Sequence, residues 1–191
     1  MNAGIHRIYI LGAPGSGVST LGKALAEHLG FEFFDADDYY WFTDDPLPYR
    51  RKRNPEHRRA LLQHDLDRTD RYVLAGALSG WGEVFTDRFD VVIYRWLPAA
   101  LRLSRIERRE VERYGLERIQ PGGDLHSIFQ KFLIWVSGYD TRLDHPRSRQ
   151  AELAWLSGCS CPTLRLEADD PVDLLLEQIL KGLIYKTAAP G

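Results

Sequence analysis

The chain has 191 residues, 44% of them hydrophobic and 27% charged, enough apolar content for one globular domain with a buried core. Its 25 basic and 27 acidic residues leave a net charge of −2, which excludes a polybasic protein held on nucleic acid or a membrane by its overall field. The start of the sequence is too short and polar for a secretory signal, and no apolar run approaches the roughly 20 residues that cross a bilayer, so a cytoplasmic location is expected.

Ile8-Tyr9-Ile10-Leu11 is a short apolar run that stops at the glycine-rich segment Gly12 to Gly17, and reads as a buried strand followed by a tight loop. From Val18 onward Leu21, Leu25 and Leu29 recur every four residues, and Gly30 ends the predicted helix. A second strand over Phe31 to Phe34 runs into the acidic cluster Asp35, Asp37 and Asp38 and then the aromatic run Tyr39 to Phe42. After a basic, proline-containing stretch, a helical pattern over Pro55 to Arg71 leads into a third strand, Tyr72 to Ala75, and a small-residue turn, Gly76 to Gly82. The wholly apolar run Val91 to Tyr94 suits a strand covered on both faces, and Pro98 opens an arginine-rich helix that continues to Tyr114. Gly115 to Asp124, with three glycines and a proline, is expected to be a mobile loop rather than core. Helices follow over Leu125 to Trp135 and Arg149 to Leu156. A fifth strand covers Thr163 to Leu166, and Asp170 and Pro171 open the last helix. Five strands alternating with helices predict a doubly wound parallel sheet. Cys159 and Cys161, one residue apart, fit neither a disulfide framework nor a C-x-x-C site and are read as idle thiols of a reducing compartment.

The segment Gly12 to Thr20 has the spacing G-x-x-x-x-G-x-S-T, a phosphate-binding loop in every position except one: Val18 stands where the motif has lysine. The glycines let backbone N–H groups curl around a phosphate, and the following helix adds the positive end of its dipole; neither contribution needs the lysine. Gly12, Gly15, Ser16, Gly17, Val18, Ser19 and Thr20 are therefore the candidate nucleotide-binding residues. The structural alternative is a glycine turn that only lets strand and helix pack closely.

Gly12 to Asp38, GAPGSGVSTLGKALAEHLGFEFFDADD, resembles the N-terminal segment of P-loop kinases of the adenylate, shikimate and gluconate kinase branch. Weaker similarity continues through Leu103, Arg105, Ile106 and Arg109, and again through Leu164 to Leu180. The resemblance implies one kinase-like domain over 1–191 with an acceptor-binding insertion at about 38–70 and a lid at about 110–148. It also implies an ATP-type donor, Mg²⁺, and phosphoryl transfer to a small molecule. On that basis Ser19 and Asp35 are expected to serve Mg²⁺, with Asp35 and Asp37 as the catalytic carboxylates. Arg105 and Arg113 would lie on the donor nucleotide, and Arg109 and Arg118 would supply the cation that Val18 lacks. Asp37, Arg53, Arg58, Gly76 and Ser79 fall where the acceptor would bind, and Lys23 is expected to face solvent.

Each group also has a structural reading. The acids can cap the next helix, Arg50 to Arg59 can be a solvated basic loop, and the arginines of the long helix can be braced by interleaved glutamates, with Arg102 and Arg108 expected in solvent. Shikimate itself is not carried over, because three consecutive glycines are absent from Gly76 to Gly82. A nucleotide-binding protein without turnover is the competing function, and neither nucleic acid nor membrane is an expected partner.

Overall fold

The computed structural model describes residues 4–44, 47 and 49–188, side chains of 184–188 excepted. Five strands, β1 (Arg7–Gly12), β2 (Glu32–Asp35), β3 (Tyr72–Ala75), β4 (Val91–Arg95) and β5 (Thr163–Leu166), pair in the order β2-β3-β1-β4-β5, and every pairing is parallel. The interior strands β3 and β4 are buried along their whole length, which is why Tyr72 to Ala75 and Val91 to Tyr94 are unbroken apolar runs rather than alternating ones.

Successive side chains of β1 enter two different cores. Ile8 and Ile10 join Val73, Ala75, Val91 and Ile93 under α1 (Val18–Leu29) and the last helix, α8 (Val172–Ala188). Tyr9 and Leu11 join Leu74, Val92 and Tyr94 on the opposite face. That face is covered by α2 (Ala36–Tyr40), α3 (Pro55–Leu66) and α7 (Arg149–Ser157). The remaining helices are α4 (Ala99–Tyr114), α5 (Leu116–Ile119) and α6 (His126–Ser137). Gly22 lets α1 lie directly on the sheet, since a Cβ there would stand 2.8 Å from that of Ala75.

The chain passes from β1 to one side of the sheet and then, from β3 to β4, to the other. The loop after β1 therefore opens at the point where strand order reverses, the usual ligand crevice of such sheets. Three sequence expectations are corrected. The third helix stops at Leu66 because Asp67 to Asp70 offers the core no apolar group. A short helix, α2, follows directly on β2, capped by Asp35. Gly115 to Asp124 is not simply loop: it contains α5, with Ile119 and Leu125 buried and Arg118 held twice by Asp124, at 3.0 and 2.6 Å. Among the described residues no helix is long and apolar enough to cross a membrane.

Candidate functional site

Gly17 adopts the left-handed conformation (φ 88°) and begins α1 with no side-chain cap. The first backbone bond of the helix runs from Leu21 N–H to the Gly17 carbonyl, so the N–H groups of Val18, Ser19 and Thr20 precede the helical ladder and are available to an anion. Ser19 and Thr20 are exposed at this end. The loop is clamped from behind by β4 and α4. Ala13 N–H and Ser16 Oγ both donate to the Arg95 carbonyl (3.2 Å each), and Arg102 donates to the Pro14 carbonyl at 3.4 Å. Added Cβ atoms would lie 1.8 Å from the Arg95 oxygen at Gly12 and 2.7 Å from the Arg102 oxygen at Gly15, so the chain passes too close for side chains. Ser16 is thus turned inward, leaving its backbone as its possible contribution to a ligand.

These features fit a phosphate-bearing nucleotide. Its phosphates would meet the α1 N-terminus, with Mg²⁺ served by Ser19, Asp35 and the ligand's own oxygens. Among the described residues no three His, Cys, Asp or Glu side chains gather into a cage that would hold a metal without the nucleotide. At Gly17 a Cβ would find open space, its nearest neighbour being the Arg105 guanidinium at 3.9 Å, yet the backbone angle suits only glycine. Gly17→Val is therefore expected to reduce nucleotide affinity at least tenfold in a calorimetric titration with ADP and Mg²⁺; equal affinity would show that the loop is not the binding surface.

Val18 belongs to the apolar cluster under α1 and is only 9% exposed, so the lysine position of the motif is filled by core packing. Lys23 faces solvent, as expected. Arg105, on α4, stands over the loop and pairs with Asp169 beyond β5. Arg109 and Arg113 both reach Glu110, at 2.9 and 3.6 Å, and Arg118 is exposed on Asp124. Arg108 is solvated as expected, but Arg102 is not: its side chain is fully buried, ion-paired with Asp140 and bonded to the Leu97 carbonyl at 2.8 Å. The helix places Arg102 toward the loop rather than among the glutamates.

The acids stand at the end of β2, where the capping reading holds for Asp35. Asp35 caps α2 by accepting from Asp37 N–H at 3.0 Å. Asp37 is half-buried, and burial together with the neighbouring Asp35 raises its carboxyl above the ordinary range, opposed by Arg147 and a hydrogen bond from Trp41. Asp38 is raised for the same two reasons, against Arg53. Gly76 lies beside this cluster, 3.4 Å from the Asp35 oxygen to its virtual Cβ, and its carbonyl accepts from the Tyr9 hydroxyl at 3.0 Å.

The basic stretch is largely folded against α2 and the residue that follows it. Trp41 and Lys52 form an antiparallel bridge, and Arg53 donates to the carbonyls of Asp38 (2.6 Å), Tyr39 (3.2 Å) and Trp41, closing the end of α2. Arg58 is buried with its guanidinium 3.5 Å from the Tyr40 ring centre. Ser79 lines a cavity next to α7.

Sequence reading missed four residues. Arg95, ending an apolar strand, is buried and ties down the loop after β5 through the carbonyls of Leu166 and Ala168, at 3.2 and 2.6 Å. Tyr49 is a non-glycine residue at φ 64°, with the Arg113 guanidinium 5.5 Å over its ring and Asp37 and Arg109 close enough to act on its hydroxyl. Arg147 acts on Asp37 from the segment before α7, and Glu152 is buried on α7. The only signal for the first was a charge closing a β-run; the others depend on long-range packing.

No protein-family profile matches the chain. It is 39% identical over 176 residues to the uncharacterized protein YqaC of Bacillus subtilis, covering 92% of this chain and 96% of that protein. It is 31% identical over 139 residues to a cytidylate kinase of Archaeoglobus fulgidus, covering 68% of this chain and 74% of that one. A solved shikimate kinase from Acinetobacter baumannii, in complex with shikimate, shares the fold with a TM-score of 0.57 at 16% identity, covering 97% of this chain and 96% of that chain. With a glycine-rich loop at the strand-order switch, a five-stranded parallel sheet and these relatives, the chain belongs to the P-loop kinase family.

Proposed function

We propose that the protein is an Mg²⁺-dependent phosphotransferase that moves the γ-phosphoryl group of ATP, or a similar nucleoside triphosphate, to a hydroxyl of a small molecule. The observation that carries this reading is convergence. The glycine cradle after β1 and the acid cluster after β2 open at the same end of the parallel sheet, and Arg105 of α4 stands over the cradle. Bound Mg²⁺, served by Ser19 and Asp35, would neutralise charge on the donor oxygens.

Asp37 takes the proton of the acceptor hydroxyl as its oxygen bonds to phosphorus, and the bond between phosphorus and the β-phosphate oxygen breaks to leave ADP. The backbone N–H groups of Val18 to Thr20 hold the donor phosphates. Arg105 acts on the donor, and Arg109, with Arg113 and Arg118 toward the lid, meets the charge that Val18 does not. Residues 38–70 form the acceptor insertion and 110–148 the lid in this reading.

ATP consumption measured with a panel of nucleosides, nucleoside monophosphates and polyols tests it. Arg109→Ala is expected to lower kcat by a factor of about 10² to 10³ with little change in nucleotide affinity, because its interaction strengthens in the transition state. Arg105→Ala should mainly raise the KM for ATP, and Lys23→Ala should do little. A kcat within a few fold of the parent in Arg109→Ala would place the catalytic cation elsewhere.

One observation favours a second reading. Val18 fills the lysine position by packing into the core, as in a nucleotide-binding module without turnover. Tight ADP binding with no ATP consumption against any acceptor would decide for that module.

A further inference from the structure

Between the end of β1, the turn after β3, and α7 lies a cavity of about 120 Å³, lined among others by Tyr9, Leu11, Leu78, Ser79, Glu152 and Trp155. It adjoins the acid cluster: the Tyr9 hydroxyl bonds to the Gly76 carbonyl, and Gly76 stands beside Asp35. The walls are mainly apolar and aromatic, and the volume suits a few waters or a single small ring.

Glu152 is the exception in this wall. Its side chain is 1% exposed, and only one of its oxygens is satisfied. Oε2 accepts from the Tyr139 hydroxyl at 2.6 Å, and that hydroxyl is itself within 3.0 Å of the Tyr94 hydroxyl, so two tyrosines fix the carboxylate in place. Oε1 has no hydrogen-bond partner. Arg147 Nε is 3.9 Å away, too far for a hydrogen bond, and is also unpartnered. A buried carboxylate is costly to keep, and one held rigidly on one side while its other oxygen lacks a donor is short of the partners that burial demands. The Tyr9 hydroxyl cannot supply that donor, being engaged with Gly76 and Leu78.

We propose that Glu152 determines acceptor specificity: Oε1 receives an N–H or O–H from an uncharged ring, and the carboxylate rejects acceptors that bring a carboxylate or phosphate to this end of the pocket. The inference rests on the acceptor pocket of the phosphotransferase reading. Arg147 balances the charge of Glu152, so it is not a spare cation awaiting an anionic ligand. A second anion in the cavity would meet Glu152, with Glu83 also on the wall.

The test measures equilibrium binding to the full chain, in ADP and Mg²⁺, of three probes: cytidine, an uncharged ring with an amino group; myo-inositol, an uncharged ring of hydroxyls; and shikimate, a hydroxylated ring with a carboxylate. At least one uncharged probe is expected to bind at least tenfold more tightly than shikimate, and which one does so tells an amine from a hydroxyl. Glu152→Gln is expected to weaken that probe at least tenfold and to narrow its advantage over shikimate, with ADP affinity unchanged. If Glu152→Gln fails to fold, Tyr139→Phe, which releases the carboxylate without removing it, must lower the same affinity several fold. Shikimate binding as tightly as either uncharged probe, no binding by any probe, or an unchanged probe ratio in the variants overturns the proposal. Failure of ADP to bind the parent would instead sink the phosphotransferase reading.

Discussion

Arg102→Ala is expected to lower the unfolding free energy by about 3 kcal/mol, the lower end of the range for breaking a buried ion pair. The Arg102 side chain has no solvent exposure, and its donors are shared among the Leu97 carbonyl, the Pro14 carbonyl and Asp140. Removing it strands those acceptors and opens a space beside the Tyr139 ring, which its guanidinium now faces at 5.2 Å. Asp140 is 21% exposed and still accepts from the Trp96 indole at 2.7 Å, so water and Trp96 relieve part of the loss; hence the lower figure. Urea unfolding followed by circular dichroism reads the effect, with Arg108→Ala as a control expected within about 0.5 kcal/mol because that side chain is solvated. A loss below about 1 kcal/mol for Arg102→Ala would mean that Asp140 rehydrates freely and that the pair behaves as a surface contact. Since Arg102 also braces Pro14, nucleotide affinity should fall with stability; Arg108→Ala should change neither.

Arg102 also marks where sequence reading stopped. The glycine loop, the apolar strands and the acids at the end of β2 were legible because each is a local pattern: a spacing, a run or a composition change within about ten residues. The partners of Arg102 were not local. Asp140 lies 38 residues away and Pro14 lies 88 residues away, so a helix rich in glutamate made solvation the natural reading. Glu152 was hidden in the same way, since its environment is built by Tyr94, Tyr139 and Arg147 from separate segments. The basic stretch erred in the other direction. Arg53 and Arg58 read as acceptor-binding residues or part of a solvated basic loop, yet the carbonyls of α2 and the Tyr40 ring already take up their guanidinium groups. Periodicity tells which face a residue occupies but not what another element brings to that face.

Asp37→Asn is expected to lower turnover by a factor of about 10² to 10⁴ while making the protein more stable at neutral pH. Both effects follow from one cause. Burial and the adjacent Asp35 raise the folded-state pKa of Asp37 above its ordinary value of 3.8, so the folded chain holds this proton to higher pH than the unfolded chain. Between the two values the folded state binds more protons, and the contribution of Asp37 to stability falls as pH rises through that window. Above the folded pKa the penalty for the buried carboxylate is complete; below 3.8 it is absent. Asparagine removes the charge, so its Tm should exceed that of the parent at pH 7, and the difference should shrink as the pH is lowered toward 4. In the proposed role as base the same carboxyl must be ionised to take a proton, so the acid limb of kcat/KM should lie above the ordinary carboxylate range. Arg147 favours the ionised form of Asp37, and Arg147→Met should therefore move that limb to still higher pH. A variant that is less stable at pH 7, with activity within a few fold of the parent, would make Asp37 a structural acceptor for Trp41 and transfer the role of base to Asp38, the other raised carboxyl of the cluster.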